Sequence, residues 1–351
     1  MTSNTQVIYV KPPKEYPIIG ETMKIAKSTI DLDCALSQGD IIIKNLVLSV
    51  DPYMRGRMRD PSIESYAPAF EFNSVMTGDT MSVVIKSNNP KFKQGDLVYG
   101  KTGLGYFEEY SHVKGAYADI GYVVRNDPKT TGLPLTYYVG VLGMPGLTAY
   151  VGLQKYGKPK KGETLYVSAA SGAVGQIVGQ IGKALGLHVV GSAGSDEKVA
   201  YLKELGFDGA FNYKTQSIDE KLKELCPKGI DIYYESVGGE MLEHVLNHAN
   251  NFGRIVVCGM ISQYNTSNPY PIRNIIYVLT KRLTMSGFIV MDKENIAYEE
   301  EFMRTCTQWL LEGKIKYRET VAEGIENTPQ ALLDVLKGKN FGKQVVKIAD
   351  L

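Results

Sequence analysis

LYVSAASGAVGQIVGQIGKALG, residues 165–186, holds the decisive pattern. An apolar run, Leu165-Tyr166-Val167, leads into a turn of small residues, Ala169–Gly175, and a helical pattern follows to Gly186. Glycines at 172 and 175 let such a turn sit close to a pyrophosphate. The N–H groups of the helix start then face its negative charge. A lone Gly-x-x-Gly carries little, and the alternative is simple helix–sheet packing through small residues. The surroundings favour dinucleotide binding, because strand and helix patterns keep alternating downstream. Strands are predicted at Thr164–Ala169, His188–Ala193, Ala210–Tyr213, Ile230–Glu235, Arg254–Cys258 and Thr284–Val290. Helices are predicted at Gly172–Gly186, Asp196–Leu205 (capped by Ser195 or Asp196), Ile218–Leu225 and Glu240–Asn247. Such alternation implies a parallel sheet covered on both faces.

Outward from this core the pattern changes. The first ~125 residues read as β-rich, with short apolar runs at Asp40–Val50, Met81–Lys86, Asp96–Tyr99 and Glu108–Val113 between Gly, Asn and Pro turns. After Lys293 come an amphipathic helix at Glu299–Leu311, the segment Ile315–Val321, a helix at Pro329–Lys337 and a strand at Gln344–Ile348. The chain has 351 residues and a formal net charge of +1. That balance argues against a nucleic-acid footprint or a polybasic membrane patch. Thr130–Gln154 lacks charge but is punctuated by glycines and prolines, which suits a buried helix start better than a membrane span. Four cysteines show no metal-type spacing, and the N-terminus has no apolar leader, so a cytoplasmic protein with free thiols is expected.

The second predicted strand decides which dinucleotide. A site for NAD usually carries Asp or Glu about 20 residues after the first glycine. That place holds Ser192, within Gly191-Ser192-Ala193-Gly194-Ser195. Asp196 and Glu197 fall in the first helical turn, where acids favour the dipole. Lys198 follows, able to point back at a 2′-phosphate, and the expected cofactor is NADP(H). His244 and His248 stand four apart on one helix, but position 245 is Val and no third ligand is near, so they read as surface histidines. Two tyrosines stand out. Tyr53 follows an apolar strand in Asp51-Pro52-Tyr53, and Tyr264 follows a sheet strand, where ligands of parallel sheets bind. For either, a packing role is the plain alternative.

These residues resemble the medium-chain dehydrogenase/reductase superfamily. The cues are QGDLVYG (94–100), Gly162-Glu163-Thr164, AASGAVG (169–175) and Gly253-Arg254-Ile255. More narrowly, SVDPYMRGRM (49–58), GMPGLTAYVGL (143–153), GSDEKVAYLKELGFDGAFNYK (194–214), CGMISQYN (258–265) and GKNFGK (338–343) are similar to its zinc-independent branch of prostaglandin reductases and alkenal double-bond reductases. The resemblance implies an α/β fold of two domains with a cleft between them. A GroES-like β domain would span 1–129 and 294–351, and a doubly wound Rossmann domain 130–293. It implies a pyrophosphate turn of Ser171, Gly172, Ala173, Val174 and Gly175, and 2′-phosphate contacts from Gly194 and Lys198. Tyr213 would be a further cofactor contact. The nicotinamide would be bordered by Cys258, Gly259, Ile261, Ser262 and Tyr264, by Phe288, Ile289 and Val290, by Asn340, and on its other side by Met144 and Thr148. Ser236 stands where the family often has a cofactor-contacting Asn. The Cys and Gly-His-Glu motifs of zinc members are absent, so no catalytic metal is expected.

The chemistry implied is hydride transfer from NADPH to the β-carbon of an enal or enone, with charge developing on the carbonyl oxygen. A hydroxyl, from Tyr264 or the cofactor ribose, would donate to that oxygen. Tyr53 would wall the substrate side. A quinone or carbonyl reductase on the same fold, or a non-catalytic NADPH-binding protein, are the alternatives. The family suggests a homodimer through edge strands of the nucleotide domains.

Overall fold

Six parallel strands make one sheet: β1 (Thr164–Val167), β2 (His188–Ala193), β3 (Gly209–Asn212), β4 (Ile230–Glu235), β5 (Ala249–Val257) and β6 (Thr284–Gly287). Their spatial order is β3-β2-β1-β4-β5-β6. That is the doubly wound order whose crevice opens where β1 meets β4, beyond the carboxyl ends of the strands. The residues explain the order. β1 is buried along its whole length and β4 nearly so, as central strands covered on both faces must be. Tyr166 of β1 stacks on Tyr233 of β4 at 5.3 Å and on Phe211 of β3 at 6.2 Å, and its hydroxyl donates to Ser192 Oγ at 2.7 Å. These rings therefore bring bulk to the core with a satisfied polar tip.

The computed structural model describes residues 1–351. The sheet belongs to a compact unit of Pro145–Arg318 and Phe341–Lys343. The other unit comprises Met1–Met144, Glu319–Asn340 and Gln344–Leu351. These bounds differ from the expected divisions at 129/130 and 293/294. The helix Glu299–Leu311 packs on the sheet unit's own helix Met144–Val151: Tyr150 donates to Glu301 at 2.6 Å and its ring lies 5.9 Å from Phe302. In the first unit, strand Lys343–Lys347 pairs antiparallel with Ile41–Ser49, which pairs with Thr77–Ser87, which pairs with Leu97–Tyr106. A smaller antiparallel sheet joins Met23–Ile30, Thr2–Tyr9 and Ser74–Val75. No helix is long and apolar enough to cross a membrane.

Several expected boundaries move, each for a local reason. β1 stops at Val167, and the helix after it starts at Gly175 rather than Gly172, because Ala169 takes a left-handed φ of 47°. β6 stops at Gly287, so Phe288–Val290 lies past the strand end. Its shape is kept by Asn295, fully buried, whose amide donates to Ile289 O at 2.8 Å and accepts from Lys155 Nζ and Tyr156 Oη at 2.8 and 3.0 Å.

Candidate active site

Every strand of the parallel sheet delivers candidate residues at its carboxyl end. After β1 the chain turns through 168–174. Gly172 N–H donates to Ala169 O at 2.9 Å and Ala170 N–H to Ser192 O at 2.9 Å. The helix Gly175–Ala184 then begins with no side-chain cap at Val174. An uncapped helix start behind a tight turn leaves N–H donors for an anion. A Cβ at Gly175 would lie 2.6 Å from Ala169 O and 2.7 Å from Ala170 Cα, so only glycine closes this turn. At Gly172 a Cβ would meet only Ala169 O, at 3.2 Å. The turn therefore fits a pyrophosphate with Ser171–Gly175 around it.

After β2 comes Gly194. Ser195 caps the helix Asp196–Glu204 by accepting from Lys198 N–H at 3.3 Å, which fixes where Lys198 begins. Burial pushes the Lys198 ammonium below its ordinary pKa, and a neighbouring lysine, Lys214, adds to the effect. Tyr213 follows β3, and its hydroxyl stands 3.2 Å from the place a Cβ on Gly194 would take. No carboxylate occupies the end of β2. Ser192, fully buried, spends its hydroxyl on Tyr166.

The loops after β4 and β5 are joined through one residue that the sequence reading passed over. Glu235 ends β4 and is fully buried. Its Oε1 accepts Val237 N–H at 2.6 Å, Gly238 N–H at 2.9 Å and Ser168 Oγ–H at 3.3 Å. Its backbone carbonyl accepts Cys258 N–H and Gly259 N–H at 2.9 and 3.1 Å. Ser168 also accepts Ser236 N–H at 3.1 Å. One residue thus ties together the turns after β1 and β4 through its side chain and the turn after β5 through its carbonyl. Burial raises its carboxyl above the ordinary range, and the two backbone N–H bonds oppose that rise.

Ser262 donates to Val237 O at 2.6 Å, so its hydroxyl serves the loop–loop seam. Gly238 holds φ at 72°, and a Cβ there would meet Met260 Cβ at 2.8 Å. Burial pushes the Cys258 thiol up to about 11, which leaves it neutral. Tyr264 folds back over this loop and its oxygen accepts Met260 N–H at 3.1 Å. A hydroxyl that already accepts a hydrogen bond is a stronger donor of its own proton. Thr148, on the helix Met144–Val151, is buried and its carbonyl accepts Tyr234 Oη–H at 2.7 Å.

The structure therefore gathers Ser171–Gly175, Gly194, Lys198, Tyr213, Ser236, Cys258, Gly259, Ile261, Ser262, Tyr264 and Phe288–Val290 at the strand ends of one unit, which also holds Thr148. It places Tyr53, Met144 and Asn340 in the other unit. There Tyr53 opens the short helix Tyr53–Arg57, and burial, with the nearby Asp79 and Asp51, holds its phenol well above the ordinary pKa of 10. Asp79, fully buried, accepts from Tyr99 Oη and from Thr102 Oγ1, the latter at 3.1 Å. His248 Nε2 lies 2.8 Å from Asp219 Oδ1 on a helix surface.

Comparison with known proteins agrees with this geometry. Residues 173–307 match the family described as zinc-binding dehydrogenase, and residues 18–118 match the N-terminal domain of oxidoreductase. The chain is 47% identical to the NADP(+)-dependent 2-alkenal reductase of Nicotiana tabacum, covering 99% of this chain and 98% of that one. It is 43% identical to (+)-pulegone reductase of Mentha piperita, over 89% and 88% of the two chains. The crystal structure of CurA from Vibrio vulnificus in complex with NADPH superposes with a TM-score of 0.87 at 39% identity, covering 99% of this chain and all of that one. The matched family's description carries zinc, but no group of three or more His, Cys, Asp or Glu side chains here could hold a metal ion, so the residues do not fit one. A GroES-like N-terminal region, a Rossmann sheet and close relatives over the full length make the chain a member of the medium-chain dehydrogenase/reductase family.

Proposed function

We propose that this protein reduces the C=C bond of α,β-unsaturated aldehydes and ketones with NADPH. The observation that carries the reading is Tyr264, a phenol set at the carboxyl end of β5 with its oxygen already accepting Met260 N–H. Near-full-length identity to a 2-alkenal reductase supports it. Ser171–Gly175 would hold the pyrophosphate, and Gly194, Lys198 and Tyr213 the phosphorylated ribose. Ser236, Cys258–Tyr264, Phe288–Val290 and Thr148 would border the nicotinamide, and Asn340 and Met144 keep the cofactor-contact role that the family resemblance implies. When bound, the cofactor supplies a hydride to the β-carbon. The chain's part is to orient the acceptor and to donate from Tyr264 Oη–H to the carbonyl oxygen, where negative charge accumulates as the double bond is reduced. Tyr53 is assigned to the substrate side.

The decisive assay follows NADPH oxidation with 2-alkenals, enones, quinones and saturated aldehydes, with product identification. Turnover of enals and enones to saturated carbonyls, and none with saturated aldehydes, is expected. Turnover of saturated aldehydes to alcohols, or cofactor binding without turnover of any acceptor, would overturn the reading.

We further infer a cytoplasmic homodimer. Free thiols at Cys34, Cys226, Cys258 and Cys306 support the compartment. The open edge of β6, and the exposed Ile275, Ile276 and Leu279 that precede it in the chain, support self-association.

A further inference from the structure

We propose that Lys214 is a second cation of the 2′-phosphate site and shares with Lys198 the selection of NADPH over NADH. The inference rests on reading the Gly194 loop as the seat of that phosphate. The geometry comes from two strand ends. Gly194 follows β2 and Lys214 lies two residues past the end of β3, and β2 and β3 are direct neighbours in the sheet. A Cβ on Gly194 would stand 3.2 Å from Lys214 Cε and 3.5 Å from its Nζ. The lysine's end therefore lies over the bare backbone of the loop, on the same atoms that Tyr213 Oη approaches to 3.2 Å. Lys214 is held there from its main chain, since its N–H donates to Asn212 Oδ1 at 3.1 Å.

The charges nearby are arranged so that this cation is not neutralised from within. Two acids open the helix after Gly194. Asp196 Oδ1 accepts Asn212 Nδ2–H at 2.8 Å, and Glu197 pairs with Arg318 at 3.3 Å. Asn212 thus both anchors Lys214 and occupies Asp196 Oδ1. Lys214 has no ion pair of its own, and it repels Lys198 more than Glu197 attracts it. An ammonium and a phenol hydroxyl beside a bare glycine, with a second lysine, Lys198, in the first turn of the helix that follows it, form a receptor for a dianion. A phosphate monoester brings close to two negative charges and three acceptor oxygens. A ribose 2′-hydroxyl brings none of this charge and gains little from either lysine.

The test is calorimetric titration of the full-length protein with 2′,5′-ADP and with 5′-ADP at low ionic strength. Wild type, Lys214→Ala, Lys214→Arg and Lys198→Ala are compared. Lys214→Ala should weaken 2′,5′-ADP by roughly ten- to a hundred-fold, the effect of losing one charge-assisted hydrogen bond, and leave 5′-ADP unchanged. Unchanged 5′-ADP binding also shows that the variant is folded. Lys214→Arg should keep most of the selectivity, and the ratio of kcat/KM for NADPH over NADH should fall in Lys214→Ala by a similar factor. If Lys198→Ala loses selectivity and Lys214→Ala does not, Lys214 has no part in reading the phosphate. Equal weakening of both nucleotides by Lys214→Ala, or loss in Lys214→Arg as deep as in Lys214→Ala, would also overturn the proposal. If neither alanine variant alters selectivity, the 2′-phosphate does not sit at Gly194, and the underlying reading falls with it.

Discussion

At Tyr264 a single hydrogen bond decides what the residue can do. Met260 N–H occupies a lone pair of the phenol oxygen, so the group is polarised toward giving its proton. A donor of this kind is worth more to a developing oxyanion than to a ground-state carbonyl. Tyr264→Phe should therefore lower kcat for enone reduction by about ten- to a thousand-fold, with a smaller change in NADPH affinity. Steady-state kinetics beside cofactor titration reads both. If the variant reduces enones at the wild-type rate and Tyr53→Phe does not, the donor has been assigned to the wrong tyrosine. Sequence position alone could bring Tyr264 to a strand end, because parallel strands present ligands there. It could not show the Met260 bond, which arises from the shape of a loop. Glu235 was passed over for a related reason. A carboxylate closing an apolar strand reads as the start of a solvated loop, and only the fold reveals that it is buried and accepts three donors, with two more on its backbone carbonyl. Lys214 is illegible in the sequence because it arrives from β3, and only the pairing of β3 with β2 brings it to the Gly194 loop.

The strand–turn–helix at 164–184 shows how two similar glycines differ once packed. Both Gly172 and Gly175 were expected to admit a pyrophosphate. Gly175 instead abuts its own turn: its missing Cβ is required by Ala169 O and by the Ala170 backbone, neither of which can yield. A Cβ on Gly172 would meet a single atom, Ala169 O at 3.2 Å, which a shift of a few tenths of an ångström relieves, and nothing else within 4 Å. Gly175→Ala should therefore cost about 1–3 kcal/mol of stability, as overpacking does. Gly172→Ala should leave stability nearly unchanged and weaken NADPH instead. Urea denaturation and cofactor titration of the two variants separate the roles, and equal destabilisation would contradict this assignment. The element pattern is legible where a strand is a short, largely apolar run that stops in a Gly- or Ser-bearing turn, as at β1, β2 and β4. Its ends were less so. Ala169 at positive φ delays the helix by three residues, and nothing in an alanine announces a left-handed turn.

For the molecule as a whole, the alternation of strand and helix specified the parallel sheet, while the division of the chain depended on packing that no local pattern carries. Glu299–Leu311 reads as an independent amphipathic helix, and only the contact of Tyr150 with Glu301 assigns it to the sheet unit. The same limit applies to self-association. The open edge of β6 exposes Thr284 and Gly287, and the short helix before it, Tyr277–Thr280, follows Ile275 and Ile276 at 52% and 56% exposure and itself carries Leu279 at 72%. An unpaired strand edge and large exposed apolar side chains are each poor surfaces to leave in water. Burying such a side chain contributes about 1.5–3 kcal/mol, and a charge placed among several desolvated neighbours costs at least as much. Leu279→Asp should therefore shift the protein from twice 38.8 kDa toward a single 38.8 kDa chain. Light scattering after size exclusion, over a dilution series, measures that shift. NADPH affinity provides the control, since no strand-end residue of the cofactor site is altered. A wild type that scatters as a single chain at every concentration would sink the dimer. If the wild type is dimeric and Leu279→Asp remains dimeric with unchanged dissociation, the partner surface lies away from the β6 edge.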